Sequence, residues 1–250
     1  MQLDPGTVSI IQLAWSRLLG LDDGALGDGG TGRLCSIDDT ASVLSFVTLF
    51  GREVLRGPAW AVDAARDLPG VELRSHSTLL TLTRNHGGRG LGEAQLYFCD
   101  ALPEFEGPPA VVSSEGALVR ALERRCPPDD VAEAGLGDVQ YPFVLVDEGS
   151  PAEGAAGAEG ADAGGPTPLA GAGYDIWEGI LAHVAVLTPP DERRRGYAGR
   201  VAAVAVEEAM AAGLVPQWRA RTDNTASQRT ARRAGFAYGG TQTSVVLEPR

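Results

Sequence analysis

Between Thr188 and Gly235 the chain passes from a strand end through a basic glycine loop into an alanine- and valine-rich run, then repeats the move on a smaller scale. The loop reads Thr188-Pro-Pro-Asp-Glu-Arg-Arg-Arg-Gly196-Tyr-Ala198, and the run ends at Gly213. Asn224-Thr-Ala-Ser227 then opens a second helix that stops at Gly235-Phe236. A glycine loop opening a helix presents consecutive backbone N–H groups and the positive end of the helix dipole to an anion. Arg193, Arg194 and Arg195 add formal charge of the same sign. The chemistry is that of a phosphate site. No Gly-Lys-[Ser/Thr] follows, which excludes a Walker loop. One glycine in the turn, with no acidic residue closing a second strand at the right distance, excludes a dinucleotide fingerprint.

Arg193-x-x-Gly196-x-Ala198 resembles the [Gln/Arg]-x-x-Gly-x-[Gly/Ala] signature of the GCN5-related N-acetyltransferases (GNAT). Its context agrees: the apolar run Ile180 to Leu187 precedes it, a helix from Tyr197 to Ala212 follows, and Asn224-x-x-Ser227 with Gly235-Phe236 closes the unit. Trp218 after Pro216, with Ala231, is similar to the branch that contains the zwittermicin-resistance acetyltransferase. The resemblance covers residues 108–250. It implies an α/β (α+β) chain with a C-terminal GNAT fold, a mixed and mostly antiparallel sheet flanked by helices. A smaller N-terminal α/β domain, residues 1–107, resembles no family.

The resemblance implies acetyl-CoA as cofactor and transfer of an acetyl group to a primary amine of a small molecule, an aminated antibiotic or natural product in its sharpest form. The implied cofactor residues are Val186, Leu187, Thr188, Arg193, Arg194, Arg195, Gly196, Tyr197, Ala198 and Gly199, with Asn224, Ser227 and Arg232 on the second helix, where Arg229 and Arg233 are further candidates for the cofactor's phosphates. The backbone N–H of Val186 or Leu187 is the expected donor to the thioester oxygen. Two family side chains are replaced: the usual strand glutamate falls on Ala182 and the usual tyrosine acid on Ala231. His183, next to Ala182, and Glu178, four residues before Ala182 and on its strand face if the strand is regular, are therefore the candidate bases. Asp175, Glu178 and Trp218 are expected on the acceptor side. A non-catalytic acyl-CoA-binding or drug-sequestering module, and a protein N-acetyltransferase, remain as alternatives.

Charge is distributed unevenly. Residues 1–110 carry 14 acidic and 8 arginine side chains, residues 111–188 carry 13 and 3, and residues 189–250 carry 6 and 10. The segment with the anion loop is thus basic and the segment before it strongly acidic, which suits a polyanionic cofactor and a cationic amine and disfavours nucleic acid. All 21 basic residues are arginine, so no lysine is present to form a Schiff base. Cys35, Cys99 and Cys126 lack Cys-x-x-Cys spacing and read as buried free thiols, and His76, His86 and His183 are too scattered for a metal site. No apolar run approaches the roughly 20 residues of a membrane span. The expectation is a soluble, cytoplasmic protein, monomer or homodimer, without membrane or nucleic-acid partners.

In chain order, apolar residues at helical spacing fill positions 8–19, Ser42 to Phe50 reads as a strand, and Pro58 to Leu68 as an amphipathic helix. Leu79 to Leu82 is a short apolar element and Glu93 to Cys99 a strand. The glycines of Arg84 to Gly92 read as a turn between two elements, because no helix follows them to aim a dipole. After Pro108-Pro109 come helices from Gly116 and from Pro127, then a strand over Val139 to Asp147, with Pro142 marking an edge or bulge. Gly149 to Gly173 is low-complexity Gly/Ala/Pro/Glu and reads as a flexible insertion, a lid or a tolerated expansion. Strands over 174–177 and 180–188, and last strands over 236–238 and 242–247, complete the sheet.

Overall fold

The structure, a computed structural model, describes residues 2–27, 29–103, 111–147 and 166–248. Helix α1 (Pro5–Leu18) begins on Asp4, whose carboxylate accepts the Gly6 N–H at 2.7 Å, with proline in the first turn where a missing N–H costs nothing. Strands β1 (Leu34–Ile37), β2 (Val43–Leu49) and β3 (Arg52–Gly57) follow. Next come helices α2 (Ala59–Ala65), α3 (Gly70–Leu73) and α4 (His76–Thr83), then strand β4 (Arg89–Phe98). The apolar element at Leu79 is thus part of a helix, and Gly87, at φ 64°, turns the chain into β4.

Strand β5 (Val112–Ser113), helices α5 (Gly116–Glu123) and α6 (Pro128–Ala134), and strands β6 (Tyr141–Asp147), β7 (Thr167–Trp177) and β8 (Leu181–Leu187) come next. Helix α7 (Tyr197–Ala211), strand β9 (Val215–Arg221), helix α8 (Thr225–Arg233) and strand β10 (Ala237–Val246) complete the order. The two last strands expected are one, carried past register shifts at Tyr238/Gly240 and Ser244/Val245. Strand β6 starts at Tyr141, and Pro142 lies where β6 has β7 but not β5 as a neighbour.

The expected insertion needs correction. Residues 167–173 make up the first seven of the eleven residues of β7, paired with β6 and β8; residues 149–165 lie outside the described residues. The small side chains here answer to packing: a Cβ on Gly171 would fall 2.6 Å from the Leu122 side chain and closer still to Leu136, and one on Gly173 would fall 2.6 Å from Val139. Glycine and alanine let the helices approach the strand. Cys35 is also exposed, against the expectation of three buried thiols.

All ten strands form one sheet in the order β1-β3-β2-β10-β4-β9-β8-β7-β6-β5, antiparallel except for β1/β3 and β8/β9. Strand β4 sits between β9 and β10, so the segments before and after residue 107 share this sheet; the expected boundary itself falls among residues outside the described set. Alternation along the strands gives each face its own helices. Helix α1 covers Val47, Leu96, Phe98 and Leu181, and α5 with α6 covers Val144 and Leu187 on the same face. Helices α2–α4 cover Leu44, Phe46 and Val245, and α7 with α8 cover Tyr97, Ala182 and Trp218 on the other. Between α1 and α6 the first face is left as a trough.

The join of β2 to β10 carries two buried hydroxyl pairs, Thr48 with Thr241 and Ser45 with Ser244, each at 2.7 Å. Removing one partner strands the other. Thr48→Val is expected to cost about 1–3 kcal/mol in chemical denaturation, and Thr48→Val/Thr241→Val less than the two single changes together.

Candidate active site

Strands β8 and β9 run parallel from Leu181/Val215 to Val184/Trp218 and then part. Past Trp218, β9 keeps only β4 as its partner, in a ladder that runs from Gln217 against Phe98 to Arg221 against Ala94. The Val215 N–H bonds the Ile180 carbonyl at 2.9 Å. Polar backbone groups repeat on the same edge every second residue, so the N–H of Val186 points into the gap that β9 has left. A cavity of about 1380 Å³ opens there, running from the loop before α7 through the gap into the trough.

The loop arginines are largely spoken for. Arg193 Nε donates to the Thr188 carbonyl at 3.1 Å and its Nη2 to Asp130 of α6, while Arg195 faces Glu192 at 3.1 Å. Glu192 is further held by Arg125, which also bonds Asp191. These bridges shape the loop. Its anion-seeking groups are the main-chain amides: Gly196 occupies the N-cap of α7 at φ 83° with no side-chain cap, leaving the first-turn N–H groups of Tyr197, Ala198 and Gly199 without that partner. A Cβ built on Gly196 meets nothing within 4 Å, so the space before those amides is open. Leu187 is buried, Thr188 is half-buried with its hydroxyl oxygen buried and unpartnered, and Arg194 is exposed with a left-handed φ of 65°.

On α8 the expected cofactor residues divide. Asn224 caps the helix by accepting the Ser227 N–H at 3.0 Å and donates to Glu133 at 3.1 Å. The Ser227 hydroxyl accepts the Trp218 indole N–H at 2.9 Å. Both side chains border the cavity while performing structural work. Arg232 does not reach the cavity: it lies over the Tyr97 ring at 5.6 Å and donates to its hydroxyl at 3.1 Å. Arg229 and Arg233, four residues apart and therefore on one helix face, line it instead.

The expected acceptor residues are mostly displaced. Glu178 is not on a strand face but in the β7–β8 turn, exposed, with φ 54°. Asp175 accepts the Gln140 N–H at 2.9 Å and is absent from the cavity wall. Trp218 is 3% exposed and packs edge-on against Phe236 at 5.5 Å, a core side chain that only borders the cavity. Ala182 and Ala231 are fully buried beside it. His183 does reach the cavity, half-buried and stacked on Trp177 with ring centroids 4.1 Å apart. Burial, reinforced by the charge of Arg219, pushes its pKa down to about 3, so the ring is neutral at physiological pH.

Several lining residues had gone unassigned. Arg219 and Arg221 alternate with buried Trp218 and Ala220 along β9, and this two-residue period is the available signal for a polar trough floor. Gly90, Gly92 and Ala94 of β4 complete the wall from the N-terminal segment, and α6 contributes Asp129, Asp130 and Glu133.

Residues 176–243 match the family model described as GNAT acetyltransferase. Similar solved structures include an acetyltransferase of the GNAT family from Novosphingobium aromaticivorans (21% identity over 65% of this chain and 69% of that one, TM-score 0.44). A GCN5-related N-acetyltransferase from Kribbella flavida shares 19% identity over 69% of this chain and 64% of that one, with TM-score 0.45. A GCN5-related N-acetyltransferase-like protein from Streptococcus suis shares 14% over 98% and 94%, also at 0.45. No curated protein matches the chain. Residues 176–243, from the end of β7 into β10, are thus similar to the GNAT acetyltransferase family.

Proposed function

We propose that this protein is an acetyltransferase that uses acetyl-CoA and acts on a primary amine of a small, cationic molecule. The observation that carries the reading is the uncapped first turn of α7 behind Gly196, opening into the same cavity as the gap at Val186. The amides of Tyr197, Ala198 and Gly199 would hold the pyrophosphate, and Arg229 and Arg233 would face other phosphates. The bound cofactor supplies an acyl group activated as a thioester. The Val186 N–H supplies a fixed donor for the negative charge that develops on the acyl oxygen, a contribution typically of a few kcal/mol. The acidic edge of α6 gives a cationic amine an approach, and an aminated natural product is the sharpest form of this substrate class.

Of the two candidate bases, Glu178 stands in the β7–β8 turn and His183 is held at about 3, so neither takes the amine's proton near neutral pH. The amine must then arrive unprotonated. With an alkylamine acceptor of pKa near 10, kcat/KM is expected to rise about tenfold per pH unit from pH 7 to 9, without a plateau near 6.5. A thiol-release assay with acetyl-CoA and a panel of primary amines tests the reading. Tight cofactor binding with no release across the panel would favour the second reading, an acyl-CoA-binding module, which the missing base and the buried Ala182 and Ala231 also fit.

A further inference from the structure

We infer that Trp15 and Gln217 are positioning residues that lock His183 with its hydrogen on Nε2, so that this side chain meets the cavity as a hydrogen-bond donor and not as a proton acceptor. Trp15 belongs to α1, more than two hundred residues from Gln217, and its indole N–H donates to Gln217 Oε1 at 2.8 Å. Gln217 is fully buried, and its Nε2 lies 3.2 Å from His183 Nδ1. An indole nitrogen only donates, so it decides which end of the Gln217 amide faces it. The end left for His183 is the NH₂ group, which also only donates. Nδ1 must then accept, and a neutral imidazole that accepts at Nδ1 carries its hydrogen at Nε2.

The surroundings hold the ring in that state. Trp177 of β7 covers one face, 19° from parallel. Arg219, next but one on β9, opposes a second positive charge. Asp175, opposite His183 in the β7 register, is turned to the Gln140 N–H. Of the three α6 carboxylates on the cavity wall, Asp130 is engaged by Arg193 and Glu133 by Asn224, and Asp129 is exposed. With Nδ1 turned to Gln217, the Nε2 edge is what the ring offers to the cavity it lines; Nε2 is not among the buried polar atoms left without a partner. If the acetyltransferase reading holds, that N–H donates to an oxygen of the bound acyl group or acceptor. The tautomer itself does not depend on that reading.

Histidine ¹⁵N NMR of the intact, unliganded protein tests the inference, with His183 assigned by difference against His183→Gln. The expected spectrum shows an unprotonated Nδ1 and a protonated Nε2, unchanged from pH 8 to 5. Trp15→Phe keeps an aromatic ring but frees the Gln217 amide, and should give a mixture of tautomers. Gln217→Glu should move the hydrogen to Nδ1, make His183 titrate above pH 6, and lower kcat by about tenfold or more with KM for acetyl-CoA unchanged. Should Gln217→Glu not fold, the wild-type and Trp15→Phe spectra decide. A wild-type His183 protonated on Nδ1, or titrating near 6.5, or a Trp15→Phe spectrum identical to wild type, overturns the inference. A protein without acetyltransferase activity would leave these spectra as expected, so the two failures are distinguishable.

Discussion

Gly196→Asp is expected to weaken coenzyme A binding by on the order of a hundredfold, about 2.8 kcal/mol, while leaving thermal stability nearly unchanged. The two effects separate because this glycine holds a helix N-cap without a cap. An aspartate there pays about 1–2 kcal/mol for a left-handed φ, and recovers a similar amount by accepting the first-turn N–H groups of α7. Those are the amides a phosphate would need, and the new carboxylate brings like charge to the same place. Space is no obstacle, since nothing in the protein lies within 4 Å of the added Cβ. Gly196→Asn tests shape without charge and should fall between wild type and aspartate. Titration calorimetry gives the affinities and thermal melting the stability. If both variants bind coenzyme A within about threefold of wild type, the anion site lies elsewhere.

The loop could be read in the sequence because its chemistry is local: one glycine, its basic neighbours and the helix they open are contiguous. The trough could not, because β4, β8, β9 and β10 meet there from distant parts of the chain, and no local pattern announces that β4 will enter between β9 and β10. Composition also misled. Gly and Ala over 167–173 serve a close-packed strand as readily as a linker, and only the neighbours Leu122, Leu136 and Val139 decide between them. Counting along a regular strand puts Glu178 on the face of Ala182. The chain instead turns at Glu178 and Gly179, both at positive φ, and the count is lost. Of the three α8 arginines the sequence offers for phosphates, spacing alone does not separate Arg232 from the others, and only the Tyr97 ring and hydroxyl take it away from the cavity. Nothing in the sequence joined Trp15 to Gln217, since a buried indole–amide pair across α1 and β9 has no period and no motif.

Trp218→Ala is expected to cost about 3–5 kcal/mol, lowering the melting temperature by roughly 10 °C. Trp218 and Val184 are the last paired residues before β8 and β9 part, so the indole fills the base of the opening. It is packed with Ala182, Ala231 and Phe236, and alanine would leave a cavity that those small neighbours are poorly placed to fill. The Ser227 hydroxyl would lose its partner at the same time. Trp218→Phe separates volume from hydrogen bonding: most of the ring remains, and the loss should be nearer 1–2 kcal/mol. The pair also decides what the residue is for. A core side chain predicts that Trp218→Phe leaves the acceptor KM within about twofold of wild type while the melting temperature falls. If KM instead rose tenfold at an unchanged melting temperature, Trp218 would be a substrate contact after all, and the acceptor would have to reach deeper, to the junction of β8 and β9 itself.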